Sequence, residues 1–68
     1  MPKYYIAYHG RKIPTVIPTL HTESAEANIE SEAREDFHSR HRNCIIARVK
    51  KGVDFTKQEL GKIKESLR

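Results

Sequence analysis

Alternating apolar and polar positions along three segments of the chain predict three short β-strands. Lys3 to His9 (KYYIAYH) is rich in tyrosine and isoleucine, as strands are. Gly10-Arg11 is a turn signal, and Lys12 to Pro18 (KIPTVIP) then returns as the second strand of a predicted hairpin. Cys44 to Lys51 (CIIARVKK) is the third predicted strand, and the glycine that follows ends it.

Two prolines, Pro14 and Pro18, lie within the predicted second strand. Proline has no backbone N–H to donate to a ladder, so it is found at sheet edges, strand starts and bulges. Because these two are four residues apart, their missing donors lie on the same side of the strand. The sequence therefore predicts an edge strand whose outer side is closed to further pairing. The alternative is an extended loop with no ladder.

A first helix is predicted from about residue 23 to residue 40. Thr22 or Ser24 can cap its start, and its acidic first half and basic end complement the helix dipole. Apolar residues recur every four positions and form a thin stripe, which consists of Ala25, Ile29, Ala33 and Phe37.

A second helix is predicted near the end of the chain, where Thr56 and Glu59 have the spacing of a capping box. Phe55, just before the cap, can pack on Leu60 as a hydrophobic staple. Gly61 lies inside this helix and costs about 1 kcal/mol relative to alanine. The helix therefore needs tertiary contacts through its apolar stripe, which consists of Leu60, Ile63 and Leu67.

The predicted order is β-β-α-β-α, a single small α+β domain over residues 1–68 with a three-stranded antiparallel sheet in the order 2-1-3 and two helices. One face of the sheet is predicted to meet the first helix, and it holds Tyr4, Ile6, Tyr8, Ile13, Ile17, Ile45, Ala47 and Val49. The opposite face holds Tyr5, Ala7, His9, Lys12, Val16, Ile46, Arg48 and Lys50. Two interpretations of this second face stay open: an exposed binding surface, or a surface covered by the last helix.

The composition favours a soluble, cytoplasmic protein. The chain has 68 residues and one cysteine, which fits a reducing compartment and provides no intramolecular disulfide. No apolar stretch has the length of a signal peptide or a membrane span. The net charge of +4 permits nucleic-acid binding without requiring it.

The segment HSRHRNC brings together residue types that suit zinc or nucleophilic catalysis: His38, His41 and Cys44. A structural zinc site needs four ligands, and no zinc-family spacing is present. A catalytic cysteine needs an oriented base and a substrate pocket, and nothing in the sequence supplies them. The sequence therefore predicts a protein that is not an enzyme and that binds no metal or cofactor.

Basic residues in the third strand and the last helix are the predicted surface for a larger protein partner: Arg48, Lys50, Lys51, Lys57, Lys62 and Lys64. The alternative is direct nucleic-acid binding, in which Arg48 and Lys50 contact phosphates and Tyr5 stacks on a base. A third possibility is a homodimer that pairs through the third strand rather than a monomer.

In element order, the run from YYIAYHGRKI through TESAEANIESEAR to NCIIARV resembles several small phage and mobile-element proteins. The resemblance covers about the first three-quarters of the chain. It implies a compact regulator or inhibitor that docks on a host enzyme such as RNA polymerase or on a defence complex. The YHGRK hairpin is also similar to arm-type DNA-binding domains of integrases, which complete their sheet before the helix.

Overall fold

The computed structural model describes residues 1–11 and 13–67. The elements are β1 (Lys3–His9), β2 (Leu20–Glu26), α1 (Glu30–Arg40), β3 (Ile45–Lys51) and α2 (Lys57–Ser66). This α+β order, β-β-α-β-α, confirms the predicted fold class. Lys12, which was predicted on the second sheet face, lies outside the described residues, as does Arg68.

The sheet has the predicted strand order, with β1 in the centre and antiparallel to both neighbours. The pairing with β2 runs from Lys3 opposite Glu26 to His9 opposite Leu20. Because β1 supplies both ladders, it carries the largest share of the core, and the Ile6 side chain is completely buried.

The second strand lies later in the chain than predicted, so the assignment of residues 12–18 to it was wrong. The prolines lie instead in the connection between β1 and β2, where the Val16 N–H donates to the Ile13 carbonyl at 3.1 Å. This bond closes a four-residue β-turn with Pro14 at its second position, which the fixed φ of proline favours. Pro14 therefore shapes a turn, Pro18 follows it in the same connection, and neither proline closes a sheet edge.

The first helix begins at Glu30, so its predicted start near residue 23 was also wrong. Residues 20–26 pair with β1 as β2, and Ser24 there lies opposite Tyr5 rather than capping a helix. The residue that precedes α1, Ile29, makes no side-chain cap. Glu32 instead reaches back, and its Oε2 accepts a hydrogen bond from the Asn28 N–H at 3.2 Å.

The two helices pack on opposite faces of the sheet, which makes the protein three layers deep. On the first face, Tyr4 packs with Ala33 of α1, and Tyr8 contacts Phe37 with ring centroids 4.9 Å apart. On the second face, Ala7 packs with Phe55 and with α2, and the cluster there consists of Ala7, Phe55 and Ile63 with Tyr5, Leu20 and Leu60 against it. The last helix therefore covers the face that the sequence left open.

A β-bulge in β3 changes which of its residues face α1. Arg48 lies opposite Ala7, whereas the next pair is Ile46 opposite Tyr8, so Ala47 is the extra residue. As a result Ile45 pairs with His9 on the α2 side of the sheet. The prediction that Ile45 shares a face with Val49 was therefore wrong.

The predicted start of the last helix is confirmed. The Glu59 N–H donates to Thr56 Oγ1 at 3.2 Å, and the Thr56 N–H donates to Glu59 Oε1 at 3.1 Å. Neither helix of the described residues is long and apolar enough to cross a lipid bilayer.

Candidate binding surfaces

Three exposed apolar side chains lie close together in the loop Ile13–Pro18, here called the apolar loop. The side chains of Ile13, Val16 and Ile17 are 55%, 59% and 58% exposed. The turn at Pro14 holds these residues in the connection between β1 and β2. Three neighbouring branched aliphatic side chains in water form the kind of patch that commonly binds another molecule.

The apolar loop lies against the end of α2. Leu67 lines two shallow depressions with it, and Lys64 lines the second of them beside Ile17. Of the predicted partner-binding residues, Lys64 is therefore the one beside the apolar loop. Arg11 precedes the loop and is exposed. Apolar tips bordered by cations complement an apolar pocket bordered by carboxylates.

A second surface, here called the basic groove, lies between β3 and α2. It is an open depression of about 440 Å³, lined among others by His9, Ala47, Arg48, Lys62, Ser66 and Leu67. Ala47, the extra residue of the bulge, and Arg48 both line the groove from β3, and α2 contributes Lys62. The groove thus joins two predicted binding residues that are 14 positions apart in the sequence.

Another predicted binding residue, Lys50, already has partners within the protein. Its Nζ donates to Glu59 Oε1 at 2.7 Å, and it lies 5.7 Å from the centroid of the Phe55 ring. The hydrogen bond from Lys50, followed by the one from the Thr56 backbone, lowers the pKa of the Glu59 carboxyl. Lys50 therefore joins β3 to the start of α2.

The remaining predicted residues lie apart from both surfaces. Lys51 pairs with Tyr4 at the far end of β3, and Lys57 is in the first turn of α2; both are exposed. Tyr5 packs against the apolar cluster beneath α2, and Lys3 Nζ lies 6.0 Å from the centroid of its ring. A stacking role for Tyr5 remains a prediction, with part of the ring in contact with the core.

Sequence reasoning missed an ion-pair cluster on the α1 side of β2. His41 Nε2 lies 3.0 Å from Glu23 Oε2, and Arg40 Nη2 lies 2.9 Å from Glu23 Oε1. The contact with Arg40 lacks hydrogen-bond geometry. The buried Oε1 of Glu23 is therefore stabilised by attraction to the arginine charge and not by a hydrogen bond. Tyr8 stacks on the His41 ring, and partial burial, followed by the charge of Glu23, raises the pKa of the Tyr8 phenol. No local sequence pattern indicates that residues 23 and 41 meet. Their contact depends on β2, which the sequence analysis did not place at residues 20–26.

The three residues of HSRHRNC that suggested zinc or catalysis do not form one site. His41 is held by Glu23, His38 contacts the edge of the Phe37 ring, and Cys44 is a partly buried free thiol. Within the described part of the chain, no group of three His, Cys, Asp or Glu side chains is arranged to hold a metal ion.

Comparisons with models of protein families, with curated proteins and with solved structures found no match to this chain. The surface chemistry of the fold itself therefore carries the functional argument.

Proposed function

We propose that this protein is a non-enzymatic binding module that docks on a larger, nucleic-acid-handling protein in the cytoplasm and regulates or inhibits it. The observation that carries the proposal is the apolar loop, where Ile13, Val16 and Ile17 are each more than half exposed. Burying such side chains contributes about 25 cal/mol for each Å² of apolar surface removed from water. A turn pre-formed around Pro14 also reduces the entropy lost on binding.

The partner's surface is an apolar pocket bordered by carboxylates. Lys64 lines a depression beside Ile17 of the apolar loop, and the whole chain has a net charge of +4. Such complementarity raises the rate of association and selects against basic partners. Among the predicted partner-binding residues, the proposal gives the largest role to Lys64.

The element order supports a regulator of this type only by analogy, because it is the feature shared with small phage and mobile-element proteins. The single cysteine supports a reducing compartment such as the cytoplasm.

The test is affinity capture from nuclease-treated cell lysate with three forms of the protein. The first is the wild type, and the second is the double variant Ile13→Ser/Ile17→Ser. The third is Val53→Ser, a matched control because Val53 is 63% exposed and lies outside the apolar loop. The expected result is a protein retained by the wild type and by Val53→Ser, and lost with the double variant. The captured protein is then purified and its binding to Lys64→Glu is measured, which should be weaker.

Two outcomes would overturn the proposal. One is that no captured protein depends on Ile13 and Ile17. The other is that light scattering shows a wild-type dimer that the double variant abolishes, since the apolar loop would then bind a second copy of this chain.

Direct nucleic-acid binding is the second candidate, and the convergence of Arg48 with Lys62 in the basic groove favours it. Lys50 contributes less to this candidate because Glu59 already engages its ammonium group. Salt-dependent binding of single- or double-stranded nucleic acid is the test, with a log–log slope of about −0.9 per duplex phosphate contacted. A flat salt response would exclude this candidate.

A further inference from the structure

We propose that the basic groove is a binding site for a phosphate group, held by Arg48 and Lys62 beside His9. This site is independent of the proposed docking function, because the charged residues that build it lie outside the apolar loop. A phosphate group is the chemical class that the groove fits, since its lining among residues 1–11 and 13–67 combines two cations with one imidazole and no carboxylate.

The two cations converge from separate elements. Arg48 projects from β3 and Lys62 from α2, and both line the groove. Within residues 1–11 and 13–67, neither forms an ion pair, whereas Lys50 and Arg40 do. Two like charges that share a groove repel each other, and an anion between them removes that repulsion.

His9 is the buried polar residue of the groove. Its side chain is 97% covered, since the residue is 3% exposed, and its Nδ1 lies 2.7 Å from the Gly10 carbonyl oxygen. A carbonyl oxygen only accepts, so Nδ1 donates and carries the proton. Nε2 makes no hydrogen bond to the described residues. It can accept from a protonated phosphate oxygen or, in the protonated ring, donate to an ionised one.

The bulge provides the room for the ligand. Ala47 is the extra residue of β3, and its short side chain lines the groove beside Arg48. The volume of about 440 Å³ is within the range of small-ligand sites, which begins at about 300 Å³. A larger side chain at this position would fill the groove without changing the charge of the protein.

The test is an NMR titration of the ¹⁵N-labelled protein with inorganic phosphate in a low-salt buffer. We expect saturable shifts of the amides of Ala47, Arg48, Lys62 and Ser66. Arg48→Ala and Lys62→Ala should each weaken binding about tenfold, the loss expected for a hydrogen bond to a charged group. Lys57→Ala is the matched control, because it removes the same charge outside the groove and should leave the affinity within about twofold.

Ala47→Leu separates a built site from general attraction to a basic protein. It keeps the net charge and is expected to weaken binding as much as Arg48→Ala does. Ala47 is exposed, so this variant is expected to fold, which the amide spectrum itself checks. The proposal is overturned by an absence of saturable shifts, by equal losses in Arg48→Ala and Lys57→Ala, or by unchanged binding in folded Ala47→Leu.

Short single-stranded oligonucleotides with and without a 5′-phosphate then identify the source of the group. Tighter binding of the phosphorylated form assigns the groove to a terminal phosphate monoester. Equal, groove-dependent binding of both forms assigns it to the phosphodiester backbone. If neither form shifts the groove amides while inorganic phosphate does, the ligand is a small phosphate compound.

Discussion

Lys50 Nζ lies 2.7 Å from Glu59 Oε1, and the same oxygen accepts a hydrogen bond from the Thr56 N–H at 3.1 Å. One carboxylate thus completes the capping box of α2 and binds the edge strand β3. Both hydrogen bonds favour the charged form of the Glu59 carboxyl, and they therefore lower its pKa.

Glu59→Gln should lower the melting temperature at pH 7, because glutamine preserves the capping box but removes the charge that binds Lys50. A lowered pKa in the folded state stabilises the protein above the unfolded value of about 4.3, and this stabilisation is lost as pH falls through the folded value. The gap between wild type and variant should therefore narrow as the pH falls below the unfolded value. Glu65→Gln, in the last turn of the same helix, is the control for the change of net charge, because it removes a carboxylate outside the Lys50–Glu59 ion pair. A gap that does not narrow as the pH is lowered below the unfolded value would contradict this account.

Gly61→Ala should stabilise the protein by about 1 kcal/mol, the difference in helix propensity between the two residues. A Cβ at Gly61 would meet no atom within 4 Å, so the change adds no clash. Gly52→Ala is the informative contrast, because Gly52 has a φ of +80° and its substitution should cost about 1 kcal/mol or more. Urea unfolding of both variants measures the two free energies of unfolding. Equal effects of the two substitutions would contradict the described backbone.

Phe37→Ala should destabilise the protein by about 3–5 kcal/mol, the usual cost of removing a buried phenylalanine. The Phe37 ring is completely buried between Tyr8 and His41, with centroids 4.9 and 4.8 Å away. For a chain of this length the loss is comparable to the whole stability of a marginal domain. We expect the amide spectrum of the variant to lose its dispersion at 37 °C, while Phe37→Leu should retain it.

The sequence predicted the elements whose signals are local. Tyrosine and isoleucine alternate through β1, and Thr56 with Glu59 marks the start of α2 within four residues. The strand β2 was missed because LHTESAE is polar and contains residues typical of helix starts. Its glutamate at position 23 is accommodated because Arg40 and His41 of the α1 end lie against it, a contact that no local pattern encodes.

The two candidate surfaces likewise combine features that local sequence patterns predict with features that depend on the tertiary fold. Arg48 and Lys62 were predicted individually from charge, but their meeting in the basic groove depends on α2 covering the second sheet face. The apolar loop was hidden by its residue types, since isoleucine and valine favour strands. Pro14 at the second position of a possible turn was the available signal, and its preference for that position outweighs the strand propensity of its neighbours.

The double variant Ile13→Ser/Ile17→Ser should leave the free energy of unfolding within about 0.5 kcal/mol of the wild type, as surface substitutions usually do. Both side chains are more than half exposed, so little of their apolar area is buried in the free protein. Ile63→Ala is the buried counterpart and should cost about 2–5 kcal/mol, because Ile63 packs in the cluster between α2 and Ala7. Urea unfolding of the three proteins makes the comparison. A loss for the double variant as large as that for Ile63→Ala would mean that the apolar loop belongs to the core, and a loss of partner binding could then no longer be assigned to contact with the partner.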